Sequence, residues 1–178
     1  MLGQVGISHE VVVSDVDETV DGPPDVQVSI LALRKASAVR DMIKSDAVII
    51  AADTLVYVES QVLSKPECPE EAYNMLQLLQ GREHTVYTGV AVLRVDGDTV
   101  CTETFVESAK VFFRGLSSEE IHKYIATGEP FDKAGSYGVQ EKGALLVERI
   151  EGDYFTVVGL PIAKLAVTLG KMGIDVWC

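Results

Sequence analysis

Asp53 stands where an aspartate can do chemistry, directly after an uninterrupted apolar run at residues 47–52. A run this short and continuous predicts a strand buried on both faces, with Asp53 at its carboxyl end. Ligands bind at that end of the strands in open α/β sheets, and a carboxylate there can hold a divalent cation or orient a water for attack. Asp53-Thr54 is also an ordinary turn or helix-cap pair, so the residue alone leaves both interpretations open.

A second set of carboxylates lies in the acidic segment Asp15-Val16-Asp17-Glu18-Thr19. Mg²⁺ prefers oxygen ligands, and Glu18 could therefore serve a metal ion together with Asp53. The spacing does not match a calcium-binding EF-hand loop. A solvated acidic loop is the alternative, and it is the commoner outcome for any single carboxylate.

Three lysines could contribute positive charge to a phosphate site. Lys35 interrupts a stretch of small and apolar residues, 31–39. Lys65 precedes a proline, which biases its backbone to an extended conformation. Lys133 lies before a loop that contains glycine. Together their ammonium groups would cradle a triphosphate, but spacing along the chain does not establish that they converge, and each alone is explained as a solvated surface lysine.

Gln140 ends the glycine-containing loop at residues 135–140. Its amide offers one acceptor and two donors, which match the N3–H and O4 edge of uracil or thymine. Most glutamines simply face water, so this signal is weak by itself. The chain has no Walker loop, no G-x-S-x-G and no H-E-x-x-H, which disfavours nucleophilic triad chemistry.

An alternation of strands and helices must position these residues, and the apolar periodicity predicts it. Strands are predicted at residues 9–14, 47–52, 55–58, 85–95, 99–113 and 144–150, with an edge strand at 174–177. Helices are predicted after a cap at Asp25, from Pro69 to Gly81, from a capping box of Ser117 and Glu120 to Gly128, and from Pro161 to Gly173. Asp96-Gly97-Asp98 predicts the turn of a long hairpin. This order predicts a single α/β domain over residues 1–178, with a mixed, twisted central sheet flanked by helices.

The composition restricts the class of partner. Fifteen Lys and Arg against 27 Asp and Glu give a net charge of −12 and an isoelectric point near 4.6. This charge repels a nucleic-acid backbone, so we expect no nucleic-acid partner, whereas a small phosphorylated ligand with a divalent cation is compatible with it. No apolar run reaches the ~18–20 residues of a membrane span, so we expect no membrane partner. Cys68, Cys101 and Cys178 form no metal or disulfide pattern, which favours reduced thiols in the cytoplasm.

A series of segments carries a family resemblance when it is taken in chain order. The segments are Asp17-Glu18-Thr19, Arg34-Lys35-Ala36, Ala51-Ala52-Asp53-Thr54-Leu55-Val56, Ser64-Lys65-Pro66, Gly81-Arg82-Glu83-His84-Thr85-Val86-Tyr87-Thr88-Gly89, Gly128-Glu129-Pro130-Phe131-Asp132-Lys133-Ala134-Gly135-Ser136-Tyr137-Gly138-Val139-Gln140, Glu151-Gly152-Asp153-Tyr154 and Val158-Gly159-Leu160-Pro161. One such segment is weak, but the ordered series spans nearly the whole chain and is specific. It resembles the Maf family of nucleoside triphosphate pyrophosphatases (septum-formation-like proteins), which are related in fold to the inosine triphosphate pyrophosphatases.

The resemblance implies an inosine-triphosphatase-like fold of two lobes with the cleft between them. It also implies hydrolysis of a nucleoside triphosphate between the α and β phosphates. The loop pattern Asp-Lys-Ala-Gly-x-Tyr-Gly-x-Gln is similar to that of the branch acting on dTTP and UTP, and the branch acting on 7-methyl-GTP departs from it. A homodimer is compatible with the family.

The resemblance also implies roles for individual residues. It places the proton acceptor at Asp53 and a Mg²⁺ or Mn²⁺ ion on Asp53 and Glu18. It assigns substrate selection partly to Thr54 and Gln140. The residues that it puts around the phosphates and the metal are Glu18, Lys35, Lys65 and Lys133.

The beginning of the chain departs from the family pattern. Members normally start with a strand and a Ser-x-Ser-Pro-Arg-Arg loop that is thought to hold the phosphates. Here residues 1–6 resemble the last turn of a helix that stops at Gly6, and residues 1–33 contain no Lys or Arg. We therefore expect the N-terminal strand and phosphate loop to be missing. Two alternatives stay open: a non-catalytic nucleotide-binding or interaction module, and a pyrophosphatase for modified purine triphosphates such as 7-methyl-GTP.

Overall fold

The computed structural model describes residues 1–177, which form a five-stranded sheet flanked by helices. The strands are β1 (Ala47–Val58), β2 (Gln61–Leu63), β3 (Glu83–Asp96), β4 (Thr99–Phe113) and β5 (Val147–Glu151). The helices are α1 (Pro24–Met42), α2 (Pro69–Leu79), α3 (Ser118–Ile125), α4 (Tyr154–Val158) and α5 (Ile162–Lys171), with short 3₁₀ helices at Leu2–Val5, Glu129–Asp132, Ala134–Ser136 and Glu141–Leu145. The strand order is β2-β1-β3-β4-β5, and the pairs β1–β2 and β4–β5 are antiparallel. The prediction of an α/β fold with a helix-flanked central sheet is confirmed.

The chain folds into two compact units. Unit 1 comprises residues 1–53, 88–107 and 159–177, and unit 2 comprises residues 54–87 and 108–158. Strands β1, β3 and β4 contribute residues to both units. Each unit has hydrophobic core clusters of its own.

Unit 1 has helices on two sides of β3 because successive side chains of a strand point to opposite faces. Val90 and Val92 pack in one cluster with residues of α5. Ala91 and Leu93 pack in another cluster with residues of α1. All four side chains are at most 1% exposed. The uninterrupted apolar run of β3 therefore follows from burial on both of its faces.

Gly89 lets α1 approach β3 closely. A Cβ at this position would lie 2.4 Å from Val28 O and 2.8 Å from Ser29 N, both backbone atoms of α1. Only a residue without a side chain fits at that distance. The position of α1 on the sheet therefore depends on Gly89.

The core of unit 2 packs α2 and α3 against the sheet. Leu76 and Leu79 of α2 and Ile121 of α3 are fully buried and share one cluster with Val86 and Val111 of the strands. The aromatic members of this cluster pack edge to face, with 4.6 Å between the ring centroids of Phe113 and Tyr137. The core of unit 2 is therefore built from helices and strands together.

Local signals placed the start of α3 correctly. Ser117 Oγ accepts a hydrogen bond from Glu120 N at 3.2 Å, and Glu120 Oε2 accepts one from Ser117 N at 2.8 Å. The predicted capping box is therefore confirmed. The hairpin turn at Gly97, with φ at 56°, and the helix start at Pro69 are confirmed as well.

Two predicted strands are wrong. Residues 9–14 form no strand, and the side chains of Val11 and Val13 are each 82% exposed. Residues 174–177 form none either, and Trp177 is 93% exposed. A β-branched run becomes a strand only where a neighbouring strand and a buried face stabilise it, so its composition alone was insufficient.

Three predicted boundaries also differ from the structure. Helix α1 begins at Pro24, without a side-chain cap from Asp25, because a proline at the first helical position has the required φ and no N–H to satisfy. Strand β1 does not end at residue 52 but continues to Val58, where it pairs with β2. Strand β5 begins at Val147 because the residues before it form a 3₁₀ helix.

The remaining expectations concern the first residues, the thiols and the helices. The predicted terminal turn is present as the 3₁₀ helix Leu2–Val5, which ends at Gly6 with φ at 79°. Cys68 and Cys101 are free thiols, as predicted, and Cys178 lies outside the described residues. Among residues 1–177, no helix combines the length and apolar character needed to cross a membrane.

Candidate active site

Lys35 joins the two carboxylates that the sequence predicts to act together. Its Nζ donates to Asp53 Oδ1 at 2.6 Å and lies 2.7 Å from Glu18 Oε1. The side chains of Lys35 and Asp53 are 20% and 12% exposed, whereas that of Glu18 is 55% exposed. We call these three residues, all in unit 1, the carboxylate–lysine cluster.

The periodicity of α1 and β1 explains why these side chains meet. Lys35 follows the fully buried Val28 and Ala32 at helical spacing, so its side chain leaves α1 on the face that packs on the sheet. Ile49 of β1 packs against that face. Asp53 lies four residues further along β1, and the two-residue period of a strand places it on the same side. A charged residue in the buried stripe of a helix thus meets a carboxylate on the facing strand.

The cluster keeps Lys35 in its charged form. Burial disfavours the ammonium, but the hydrogen bonds and charges of Asp53 and Glu18 outweigh burial and raise the pKa of Lys35 above its usual value. The two carboxylates therefore share a permanent counter-charge at neutral pH. It balances part of the negative charge that they would otherwise concentrate in one place.

Glu18 lies on the irregular segment before α1, and Arg34 binds that segment. Arg34 Nη1 donates to Asp17 O and to Thr19 O at 3.0 Å each. Asp17 Oδ1 accepts a hydrogen bond from Thr19 N at 2.8 Å, and this bond lowers the pKa of the Asp17 carboxyl. The backbone on either side of Glu18 is therefore bonded to α1, one residue before Lys35.

The segments that carry Lys65 and Lys133 are joined within unit 2. Gly135 N donates to Ser64 O at 3.1 Å, which joins the loop after Lys133 to the residue before Lys65. Asp132 is near both lysines. Its hydrogen bond from Lys133 Nζ, at 2.6 Å, lowers the pKa of the Asp132 carboxyl, and the charge of Lys65 adds a smaller effect in the same direction. Two ammonium groups with one carboxylate make this surface suitable for an anion.

The loop between Lys133 and Gln140 is anchored by a buried aromatic pair. Tyr137 Oη and His84 Nε2 share a hydrogen bond of 2.7 Å. Burial raises the pKa of Tyr137 and lowers that of His84 to about 4, so both side chains are neutral at pH 7. Gln140 follows as an exposed residue directly before a 3₁₀ helix. Its amide is therefore presented from a fixed segment of chain.

Gly138 leaves room for the side chain of Lys133. A Cβ at position 138 would lie 2.6 Å from Lys133 Cε and 2.8 Å from Lys133 Cδ. Because that side chain is flexible, a larger residue at 138 would displace the ammonium without blocking the fold. Gly138 therefore sets where the charge of Lys133 lies.

The predicted site residues thus fall into two groups. Glu18, Lys35 and Asp53 meet in unit 1, and Lys65 and Lys133 both lie near Asp132 in unit 2. Asp53 was expected at the end of its strand but lies inside β1, because the strand runs on through it to Val58. Thr54 is the next residue of β1 and is half-buried.

The sequence predicted His84 to be a packing or hydrogen-bonding residue, which its bond to Tyr137 confirms, but it assigned no role to Arg34, Gly138 or Tyr137. The sequence did contain a signal for Arg34. It is the first cationic residue after 33 residues that carry six carboxylates, so it is the nearest counter-charge along the chain for the acidic segment. Tyr137 acts through its contact with His84, 53 residues away, and Gly138 acts through the fold of the loop that returns it to the Lys133 side chain. No local pattern encodes such contacts.

The donor chemistry of the carboxylate–lysine cluster fits Mg²⁺ or Mn²⁺. Two carboxylates converge on one ammonium, and carboxylate oxygens are the ligands that these ions prefer. Within residues 1–177, no group of three or more His, Cys, Asp or Glu is placed to hold a metal ion. Were a divalent cation to bind at this cluster, Glu18 and Asp53 would supply its acidic oxygens, and water and ligand oxygens would complete the shell, as is common for Mg²⁺.

Comparison with known proteins gives a consistent result. The family model described as "Maf-like protein" matches residues 1–172. A dTTP/UTP pyrophosphatase of Bacillus cereus is 49% identical over 179 aligned residues, which cover 99% of this chain and 91% of that protein. A dTTP/UTP pyrophosphatase from a different Bacillus cereus strain is 49% identical, and the alignment covers 99% of this chain and 85% of that protein. A dTTP/UTP pyrophosphatase from Bacillus anthracis is 48% identical, and the alignment covers 99% of this chain and 91% of that protein.

Proposed function

The chain belongs to the Maf family, and we propose that it hydrolyses dTTP and UTP to the nucleoside monophosphate and pyrophosphate. The relatives at 49% identity that are dTTP/UTP pyrophosphatases support the substrate class. The observation that carries the chemistry is the contact of Asp53 with Lys35, 2.6 Å from the ammonium to the carboxylate. We also propose the fold type of the inosine triphosphate pyrophosphatases and a cytoplasmic location, which the free thiols support. A homodimer stays a prediction.

In the proposed reaction, water attacks the α phosphorus and Asp53 accepts the proton that the water loses. A new P–O bond forms while the bond from the α phosphorus to the oxygen bridging the β phosphorus breaks, and pyrophosphate leaves in line. The bond from Lys35 fixes the orientation of the Asp53 carboxylate. A carboxylate has about four acceptor positions, so this bond leaves capacity for the proton of a water.

Glu18 and Asp53 would hold the divalent cation. When bound, such an ion neutralises charge on the phosphate oxygens and on the departing pyrophosphate. Lys35 keeps the two carboxylates facing one point, as shown by its contacts of 2.6 and 2.7 Å. The contacts of Lys35 support this proposal because they hold the two carboxylates next to each other.

Residues of unit 2 would bind the phosphates and the base. Lys65 and Lys133 supply ammonium groups on one anion-suited surface, and Lys133 is the more enclosed of the two. Gln140 would donate to and accept from the pyrimidine edge, with Thr54 contributing to selection. The anchored loop before Gln140 supports this role because a fixed amide discriminates better than a mobile one.

Replacement of Asp53 by asparagine tests the proposal, with pyrophosphate release from UTP and Mg²⁺ as the assay. Asparagine keeps an oxygen that can accept from Lys35 but is a poor base, so we expect a loss of about 10²–10⁴-fold in kcat with thermal stability retained. The control is Asp41→Asn, since Asp41 is exposed on the surface and pairs with Arg40. Full turnover by Asp53→Asn would remove Asp53 as the base. Nucleotide binding without turnover by the wild-type chain would overturn the catalytic proposal and leave a binding module.

Gln140→Ala tests base recognition. We expect kcat/KM for UTP to fall about tenfold relative to that for GTP, because one hydrogen-bonded contact is lost. Gln61→Ala is the matched control, since Gln61 is exposed on β2. An unchanged ratio of UTP to GTP would contradict the assignment, and faster turnover of modified purine triphosphates would replace the substrate class.

A further inference from the structure

Arg34 bonds the backbone on both sides of Glu18. Its Nη1 donates to Asp17 O and to Thr19 O, the carbonyls that flank Glu18 in the chain, and both distances are 3.0 Å. A single nitrogen thus binds the peptide group directly before Glu18 and the peptide group after Thr19. Lys35, the next residue of α1, contacts the Glu18 carboxylate itself at 2.7 Å.

The segment that carries Glu18 is irregular and largely exposed. Residues 7–21 contain no helix or strand, and most of their side chains are exposed. Ordering one such residue costs about 1–2 kcal/mol of backbone entropy. The hydrogen bond from Thr19 N to Asp17 Oδ1, at 2.8 Å, tightens the segment locally but does not connect it to the rest of unit 1. The connection to α1 on either side of Glu18 is supplied by Arg34.

We propose that Arg34 is a positioning residue that holds Glu18 at the point shared with Lys35 and Asp53, and so sets the affinity of the carboxylate–lysine cluster for a divalent cation. This inference rests on the proposed function for its biological meaning. Arg34 acts through Glu18, because the bonds of its Nη1 go to backbone oxygens of the acidic segment. A ligand group that is held in place in advance binds without paying the ordering entropy of its segment.

The first test measures Mn²⁺ binding to the substrate-free chain by calorimetry. Residues that orient a metal ligand typically affect metal affinity by 10–100-fold, and the half-exposed Glu18 puts this one at the low end. We expect Arg34→Gln to weaken Mn²⁺ binding about tenfold and Arg34→Lys to weaken it less, since an ammonium can also donate to two carbonyls. Arg40→Gln, on the same helix and paired with Asp41, should leave the affinity unchanged.

The second test separates positioning from a merely structural role. If Arg34 acts through Glu18, Arg34→Gln should have no further effect on Mn²⁺ affinity in a chain that already carries Glu18→Gln. At saturating Mn²⁺ and UTP, Arg34→Gln should keep kcat within about twofold of wild type, because the deficit lies in binding. An equal loss of affinity in both backgrounds, or none in the wild-type background, overturns the inference. If the wild-type chain does not release pyrophosphate from UTP, the proposed function is overturned instead. The Mn²⁺ affinities of the wild type, the two single variants and the double variant still test the inference, because they are measured without substrate.

Discussion

Replacing Gly89 by alanine should destabilise unit 1 by forcing α1 away from β3. The new Cβ would lie 2.4 Å from Val28 O, 2.5 Å from Val28 C and 2.8 Å from Ser29 N. All three are backbone atoms of α1, so no change of side-chain rotamer relieves the overlap. The helix, which also carries Lys35, must shift as a whole.

The expected loss follows from that overlap. Cβ atoms essentially never come within 3.0 Å of another heavy atom, so α1 must retreat by at least 0.6 Å from its packed position. Overpacking of this kind costs about 1–3 kcal/mol of the free energy of unfolding. In a chain of this size each kcal/mol lowers Tm by about 2–4 °C, so Tm should fall by about 2–12 °C. Turnover of UTP should fall too, because Lys35 moves with the helix.

Calorimetric unfolding of Gly89→Ala and Gly170→Ala makes a matched comparison. Gly170 lies in α5, where a Cβ meets nothing within 4 Å, so the same substitution should stabilise the chain by about 0.5–1 kcal/mol. The two variants are thus expected to differ in sign. An unchanged Tm for Gly89→Ala, or equal losses for both, would refute the argument that backbone proximity requires this glycine.

Other predictions test the loop of unit 2 and its neighbours. Ser117→Ala should cost about 1 kcal/mol by urea unfolding because it removes the cap of α3, and an unchanged midpoint would contradict the capping box. Burial lowers the pKa of His84 from 6.5 to about 4 in the folded chain. As the pH falls, the imidazole of the unfolded chain is therefore protonated before that of the folded chain. Stability should therefore fall by about 3 kcal/mol between about pH 6.5 and pH 4, and His84→Gln should lack this part of the loss. Gly138→Ala should displace Lys133 and raise KM for UTP by up to about tenfold with little change in Tm, whereas an unchanged KM would argue against Lys133 as a phosphate ligand.

Features set by local sequence could be predicted well. The capping box at Ser117, the hairpin turn at Gly97 and the start of α2 at Pro69 each depend on a few neighbouring residues. The residue types there restrict φ or satisfy a helix end, and distant parts of the chain change neither. The sequence therefore contains the whole cause of these features.

Features set by tertiary contacts could not be predicted in the same way. Residues 9–14 have the composition of a strand but no pairing that makes them one. Conversely, β1 continues through the polar pair Asp53-Thr54, which interrupts its apolar pattern without interrupting its backbone hydrogen bonding. The hydrophobic pattern of a segment indicates which of its residues are buried. The length of a strand depends instead on how far it pairs with the neighbouring strand.

The candidate site was predictable in its residue types and only partly in its geometry. Lys35 was singled out because it interrupts a stretch of small and apolar residues, and its predicted partner was a phosphate group. A lysine in such a stretch also needs a counter-charge from the protein. The same argument does not say which carboxylate Lys35 meets. That partner depends on which face of β1 each side chain occupies and on how closely α1 packs over Gly89. Lys65 and Lys133 illustrate the same limit, since no local pattern predicts the backbone hydrogen bond that joins their segments.

The alternation along β3 makes unit 1 more sensitive to the number of its residues than to their identity. Inserting one residue directly after Gly89 would exchange the two sets of side chains that follow it, so that Val90 and Val92 would turn toward α1. The turn at Gly97 lies outside this alternation and has open space around it, and a hydrogen bond from Gly97 N to Asp46 Oδ1 at 2.7 Å links it to the rest of unit 1. Natural and engineered length variants should therefore accumulate at this turn, and a frame change inside β3 should abolish folding even when every inserted residue is apolar.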